Sequence, residues 1–205
     1  KYLVYPAKSV LAAEATTNLV INPSFELITW GAGAAGGGGT GSTGLTHENK
    51  FGRSSMEIIH SNNVGFWFVQ QFAGAGSLIA LTTYTLSGFI KCPATFAGSA
   101  FYLYITVHDG VFGNTAIYNA AGAVAVVASD WIRYSITFTT NALQVAYILT
   151  AQLAGADVGA YVYYDSIQLE QKAYVTPYLD GSLGTGHAWT CAAHASTSTR
   201  TATQH

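Results

Sequence analysis

Charge is what this chain has least of. Of 205 residues, eight are Lys or Arg and ten are Asp or Glu, 9% in all, against about a quarter in an ordinary soluble domain. The net charge of −2 gives no electrostatic footprint for nucleic acid or for an anionic lipid surface. No basic run, RNA-binding signature or zinc-finger spacing is present. Half of the residues are apolar. Even so, the longest apolar stretch, Ala120–Ala128, falls far short of the ~20 residues a bilayer-crossing helix needs, so no membrane insertion is expected. The N-terminus lacks the charged, apolar and cleavage regions of a signal peptide, and none is expected. A surface with Ser, Thr, Gly and Ala in place of Lys and Glu suits packing against other subunits. The alternative is a surface merely rich in Thr and Ser.

Catalytic signatures are missing too. A glycosidase needs two carboxylates flanking one bond, and none of the ten Asp and Glu sits in a recognisable pair motif. There is no Gly-X-Ser-X-Gly elbow and no His-Glu-X-X-His. No catalysis is expected. Cys92 and Cys191 match no metal spacing, and are either buried free thiols or one disulfide. His187, His194 and His205 are either a shared metal site or polar turn residues.

Strand signals are abundant. "GFWFVQQF" (65–72), "TYTLSGFIKC" (83–92), "AFYLYITVHD" (100–109), "WIRYSITFTT" (131–140), "QVAYILTAQL" (144–153) and "AYVYYDSIQLE" (160–170) are rich in β-branched and aromatic residues. In the fourth run, Tyr134, Ile136 and Phe138 alternate with Ser135, Thr137 and Thr139, which puts the larger set on a core face. Short strands at this spacing predict an all-β sandwich of two antiparallel sheets. The one helix candidate is Ala7–Ala15. "GAGAAGGGGTGSTG" (31–44) lacks the Lys-Ser/Thr ending of a phosphate-binding loop. It is expected to be a flexible or closely packed loop.

Flat side chains stack on the apolar face of a sugar ring, and amides pair with its hydroxyls. Alternation in 65–72 separates Phe66, Phe68 and Gln70 from Trp67, Val69 and Gln71. Trp67 with Gln71 is one candidate sugar platform, extended by Tyr102 and Tyr104, which share a face. The alternative places Trp67 in the core or in a subunit interface.

"NLVINPSFE" (18–26) resembles the first strand of the jelly-roll carbohydrate-binding modules appended to xylanases and glucanases. "GRSSMEI" (52–58), "TTYTLSGFIK" (82–91), "DWIRYSITFTT" (130–140) and "YYDSIQLEQ" (163–171) resemble further strands in that family's order. The resemblance implies a jelly-roll β-sandwich over residues 18–171, with residues 1–17 as an N-terminal arm and 172–205 as a C-terminal extension. It also implies a structural Ca2+ at the sandwich edge, with Glu26 and Asp165 as carboxylate ligands. Calcium takes six to eight oxygens and prefers carboxylates. Taken as residues alone, Glu26 is a solvated strand end and Asp165 a turn cap.

"YVTPYLDGSLGTGHAWTCAAHASTSTR" (174–200) resembles a segment that follows such a jelly roll in tailed-bacteriophage minor tail and other virion proteins. Cys191 stands where that pattern has Gly. The resemblance implies a virion structural protein, in the tail, a tail fibre or capsid decoration. Its partners would be other copies of itself, other virion subunits and host-surface glycans. The alternatives are a carbohydrate-binding module of a secreted glycan-degrading enzyme, or a cellular surface or filament subunit. The apolar side chains of the arm and of Thr176–His205 (Tyr178, Leu183, Trp189) predict that both ends order against neighbouring subunits.

Overall fold

The structure is a computed structural model and describes residues 14–35, 39–155 and 157–202. Among them there is no helix, hence none long and apolar enough to cross a membrane. All but the last two residues of the helix candidate Ala7–Ala15 lie outside the described residues, as do most of the arm and His205.

Ten strands build two five-stranded antiparallel sheets. The first contains β2 (Gly31–Ala35), β5 (Phe66–Ala73), β10 (Ala146–Ala154), β7 (Ala100–His108) and β8 (Ala116–Ala125), in that spatial order. The second contains β3 (Gly41–Thr46), β4 (Ser55–His60), β11 (Tyr161–Glu170), β6 (Thr83–Lys91) and β9 (Ile132–Thr139). This is the sandwich of two antiparallel sheets that the strand pattern predicts, in the jelly-roll form that the resemblance implies.

The inward faces follow from register. In the first sheet, Val69 lies opposite Ala151, and Ala151 opposite Leu103. All three are fully buried. In the second, Tyr84, Leu86 and Gly88 lie opposite Phe138, Ile136 and Tyr134, the set that alternation puts on the core face. Each fully buried aliphatic side chain contributes roughly 1.5–3 kcal/mol. Gly88 leaves room for core side chains: a Cβ there would meet Ile167 Cδ1 at 2.5 Å and, from the facing sheet, Leu103 Cδ2 at 2.7 Å.

The glycine-rich stretch departs from its expected loop. Its two ends are β2 and β3, edge strands on β5 and β4. The missing side chains are what let it pack. A Cβ on Gly33 would stand 3.0 Å from the Phe68 ring, and one on Gly41 would stand 2.6 Å from Trp67 Cγ.

The C-terminal extension also departs from expectation. Three short strands, β1 (Thr16–Asn18), β13 (Ser198–Arg200) and β12 (His187–Trp189), form a small third sheet. The extension lies on the chain's own sandwich. Gln168 and Glu170 of β11 are fully buried. Glu170 accepts from Thr16 Oγ1, Gln168 Nε2, Thr176 N and Thr176 Oγ1. Gln168 Oε1 accepts from Leu179 N at 2.8 Å. Arg200, 5% exposed, donates to Glu14 O and Pro177 O. Tyr178 is buried against Phe51, and Trp189 contacts His194 within the extension. These side chains find partners at home because the second sheet's outward face is polar and must itself be covered.

Candidate functional site

The outward face of the first sheet collects aromatic and amide side chains. Phe66, Phe68 and Gln70 project from β5, Thr150 and Gln152 from β10, Tyr102 and Tyr104 from β7, and Ile117 and Asn119 from β8. Phe66, Tyr102, Tyr104, Ile117, Asn119 and Gln152 line a groove of about 450 Å³. Cross-strand register brings them together: Tyr102 lies opposite Gln152, and Tyr104 opposite both Thr150 and Asn119.

Polar groups in the groove are held in place. Tyr104 Oη donates to Gln152 Oε1 at 3.1 Å, and Gln70 Nε2 donates to Thr150 Oγ1 at 3.0 Å. Phe66 and Tyr102 meet edge to face, with centroids 6.4 Å apart. Burial raises the Tyr104 phenol above its ordinary range, which keeps it a neutral donor at physiological pH. Among the described residues, the five strands of this sheet carry no Asp, Glu, Lys or Arg. Such a surface offers flat apolar rings and neutral hydrogen-bonding groups, and nothing that would pair with a charge.

The sequence-derived platform is split by the structure. Tyr102 and Tyr104 line the groove. Trp67 and Gln71 are on the other side of the sheet, because they share strand parity with Val69, which is fully buried. Trp67 packs against the core and over Gly41. Gln71 has both ends of its amide occupied by Ile21: Oε1 accepts from the backbone N at 3.1 Å and Nε2 donates to the carbonyl at 2.6 Å. Neither residue reaches the groove. Phe66, Ile117, Asn119 and Gln152 are the lining residues that sequence reading missed. The signal for Phe66 was its parity opposite Val69.

Glu26 and Asp165 converge on one segment. Asp165 Oδ2 accepts from the backbone N of Lys50 at 2.6 Å and of Phe51 at 2.9 Å. Glu26 Oε1 accepts from Arg53 N at 2.6 Å. A bulge between Asp165 and Gln168, with Ser166 at φ 56°, places Asp165. It is fully buried, and its Oδ1 has no partner. Burial pushes this carboxyl up to about 7, against which hydrogen bonds act, those from the backbone of Phe51 and Lys50 foremost. An orphaned buried carboxylate oxygen is what a hard cation satisfies, so this part of the pair fits Ca2+. Among the described residues, no group of three or more His, Cys, Asp and Glu is placed to hold a metal. That covers His187 and His194. Cys92 is buried and Cys191 exposed, and both are free thiols; Cys92 is pushed up to about 11 by burial.

No protein-family model matches this chain, and no curated protein matches it in sequence. Solved structures match its fold. The CBM22-1 xylan-binding domain from Paenibacillus barcinonensis Xyn10C is 21% identical with a TM-score of 0.51, covering 80% of this chain and 100% of that one. The family 11 carbohydrate-binding module from Clostridium thermocellum, in complex with a mixed-linked tetrasaccharide, is 14% identical with a TM-score of 0.51, covering 80% and 99%. The enzymatically active domain of bacteriophage CBA120 tailspike protein 4 is 16% identical with a TM-score of 0.55 over 74% of this chain. This chain spans about a fifth of that tailspike domain, 21%. The class defined by these matches is the all-β jelly-roll sandwich. More particularly, it is the form of that fold found in carbohydrate-binding modules.

Proposed function

We propose that this chain is a glycan-binding jelly roll of a bacteriophage particle, and that it binds without catalysing. The observation that carries the binding half is the groove on the outward face of the first sheet. Tyr102, Tyr104 and Phe66 supply ring surface there, and Gln152 and Asn119 supply amides. The absence of charged side chains selects a neutral saccharide, because a uronate, sialate or phosphate would bury a charge without a counter-charge. The lining residues come from four neighbouring strands, so the groove crosses the sheet and suits several residues of an oligosaccharide. The carbohydrate-binding modules of the same fold support this reading.

The phage half is supported by residues 174–200, which resemble a recurrent virion segment, and by the fold shared with a tailspike domain. On this reading the chain sits in the virion, beside copies of itself and other virion subunits, and engages glycans of the host surface. A structural Ca2+ held by Glu26 and Asp165 belongs to the same proposal. Its support is the orphaned Asp165 Oδ1.

An array of neutral and acidic oligosaccharides tests the binding half. Retention on neutral chains that disappears in Tyr102→Ala is the expected result. Binding that prefers acidic glycans, or survives Tyr102→Ala and Gln152→Ala together, would overturn it. Labelled antibody in electron microscopy of phage particles tests the location.

A further inference from the structure

We infer that the C-terminal extension closes a second ligand pocket, shaped for a single neutral sugar ring. The pocket, about 510 Å³, lies between the turn after the first strand, the 51–53 segment and the extension. It shares no residue with the groove on the first sheet and does not rest on the function proposed for that groove. Arg53, Asp180, Ser182 and His194 give it polar groups, and Phe51 and Leu183 give it apolar walls.

The polar groups are not all used by the fold. Asp180 is: it accepts from Ser24 Oγ at 2.8 Å, Tyr178 Oη at 3.3 Å and Ser182 N at 2.7 Å. This network seats the extension at the pocket floor. Ser182 Oγ accepts from Trp189 Nε1 at 3.2 Å, which leaves its own proton to donate. The Arg53 guanidinium has no ion-pair or hydrogen-bond partner among the described residues, although its backbone N is held by Glu26. His194 Nδ1 is buried without a partner. The His194 backbone sits at φ 57°, in the left-handed region, with the ring held 4.8 Å from that of Trp189.

The ligand class follows from what these groups accept. A hydroxyl both donates and accepts, so it pairs with the Arg53 donors and with the Ser182 hydroxyl, beside the His194 ring that lines the pocket. Two carboxylates, Glu26 and Asp180, against one guanidinium disfavour an anion. The apolar walls exclude a small hydrated ion in favour of a ring with C–H faces. A pocket, unlike a groove, takes one residue or a chain end.

Trp189 touches Ser182 and His194, so its indole N–H reports occupancy. The test is a two-dimensional amide NMR titration of the full chain, in chelator, with glucose, galactose, mannose, xylose, N-acetylglucosamine and glucuronic acid. A saturable shift of the Trp189 indole with at least one neutral sugar is expected. Arg53→Ala and His194→Asn should each weaken it more than tenfold, Asn being tolerant of the left-handed backbone. Tyr102→Ala should leave it unchanged, which separates this pocket from the groove. No saturable shift with any neutral sugar would overturn the proposal. So would an unaltered response in Arg53→Ala and His194→Asn, or tighter binding of glucuronic acid.

Discussion

Tyr104 and Gln152, 48 positions apart in the chain, join across the outward face of the first sheet, with the phenol donating to the amide carbonyl at 3.1 Å. The bond fixes the amide's orientation, with Oε1 turned to the phenol and Nε2 left as the donor end. Tyr104→Phe removes the bond while leaving the ring. A five- to twentyfold loss of neutral oligosaccharide affinity is expected, the equivalent of about 1–1.8 kcal/mol for one hydrogen bond. Calorimetric titration checks it, and the melting temperature should hardly move.

Trp67 and Tyr102 should behave oppositely. Trp67→Ala opens a cavity between β5 and Gly41, at a cost of about 3 kcal/mol in stability. Tyr102→Ala, on the outward face, should cost less than about 1 kcal/mol and remove glycan retention. Denaturant unfolding beside affinity electrophoresis distinguishes them. A Trp67→Ala protein as stable as the wild type would return that residue to the binding candidates.

Asp165 gives the chain a pH signature. Its folded value of about 7 lies above the ordinary 3.8, so the folded state holds a proton that the unfolded chain has released. Stability is therefore greatest below about pH 4, falls as pH rises, and levels off once Asp165 ionises above about 7. The full span corresponds to roughly 4 kcal/mol as an upper bound. Thermal melts in chelator between pH 4 and 8 should show this slope, and Asp165→Asn should flatten it. If calcium binds there, adding it at pH 8 should restore stability to the wild type and do nothing for Asp165→Asn.

Arg200 bolts the extension in place. Arg200→Ala leaves the carbonyls of Glu14 and Pro177 without their donor and should cost about 1–3 kcal/mol. The sedimentation coefficient should stay unchanged, because these contacts lie within one chain. A variant that loses mass in sedimentation at constant stability would show an inter-subunit role for this segment.

Much of this fold is written in local alternation. "TYTLSGFIK" and "WIRYSITFTT" pair as β6 and β9, with the predicted residues inward. β8 escaped notice because "AIYNAAGAVA" is mostly Ala and Gly, and its pairing with β7 is interrupted by register shifts. β2 is all Gly and Ala, and its role depends on the Phe68 ring it lies beside. The site was harder. Alternation separated Phe66 from Trp67 but could not say which of two aromatic faces was inward. That choice is made by sheet partners such as Leu153, opposite Trp67, and Gln152, opposite Tyr102, both far away in sequence. The pairing of Glu26 with Asp165 was implied by the resemblance, and the structure adds the segment both carboxylates grip.

The small third sheet has a mechanical consequence. Thr16 pairs with Arg200, and Asn18 with Ser198, so the chain enters and leaves the described fold side by side. A pull applied between residues 14 and 202 loads those rungs one after another, like a zip, and does not shear them all at once. The small sheet should yield at low force, peeling β13 and then β12 away. The ten-stranded sandwich stays closed behind it. Tension along the polypeptide would thus be felt first by Arg200, and after it by the segment carrying Trp189 and His194.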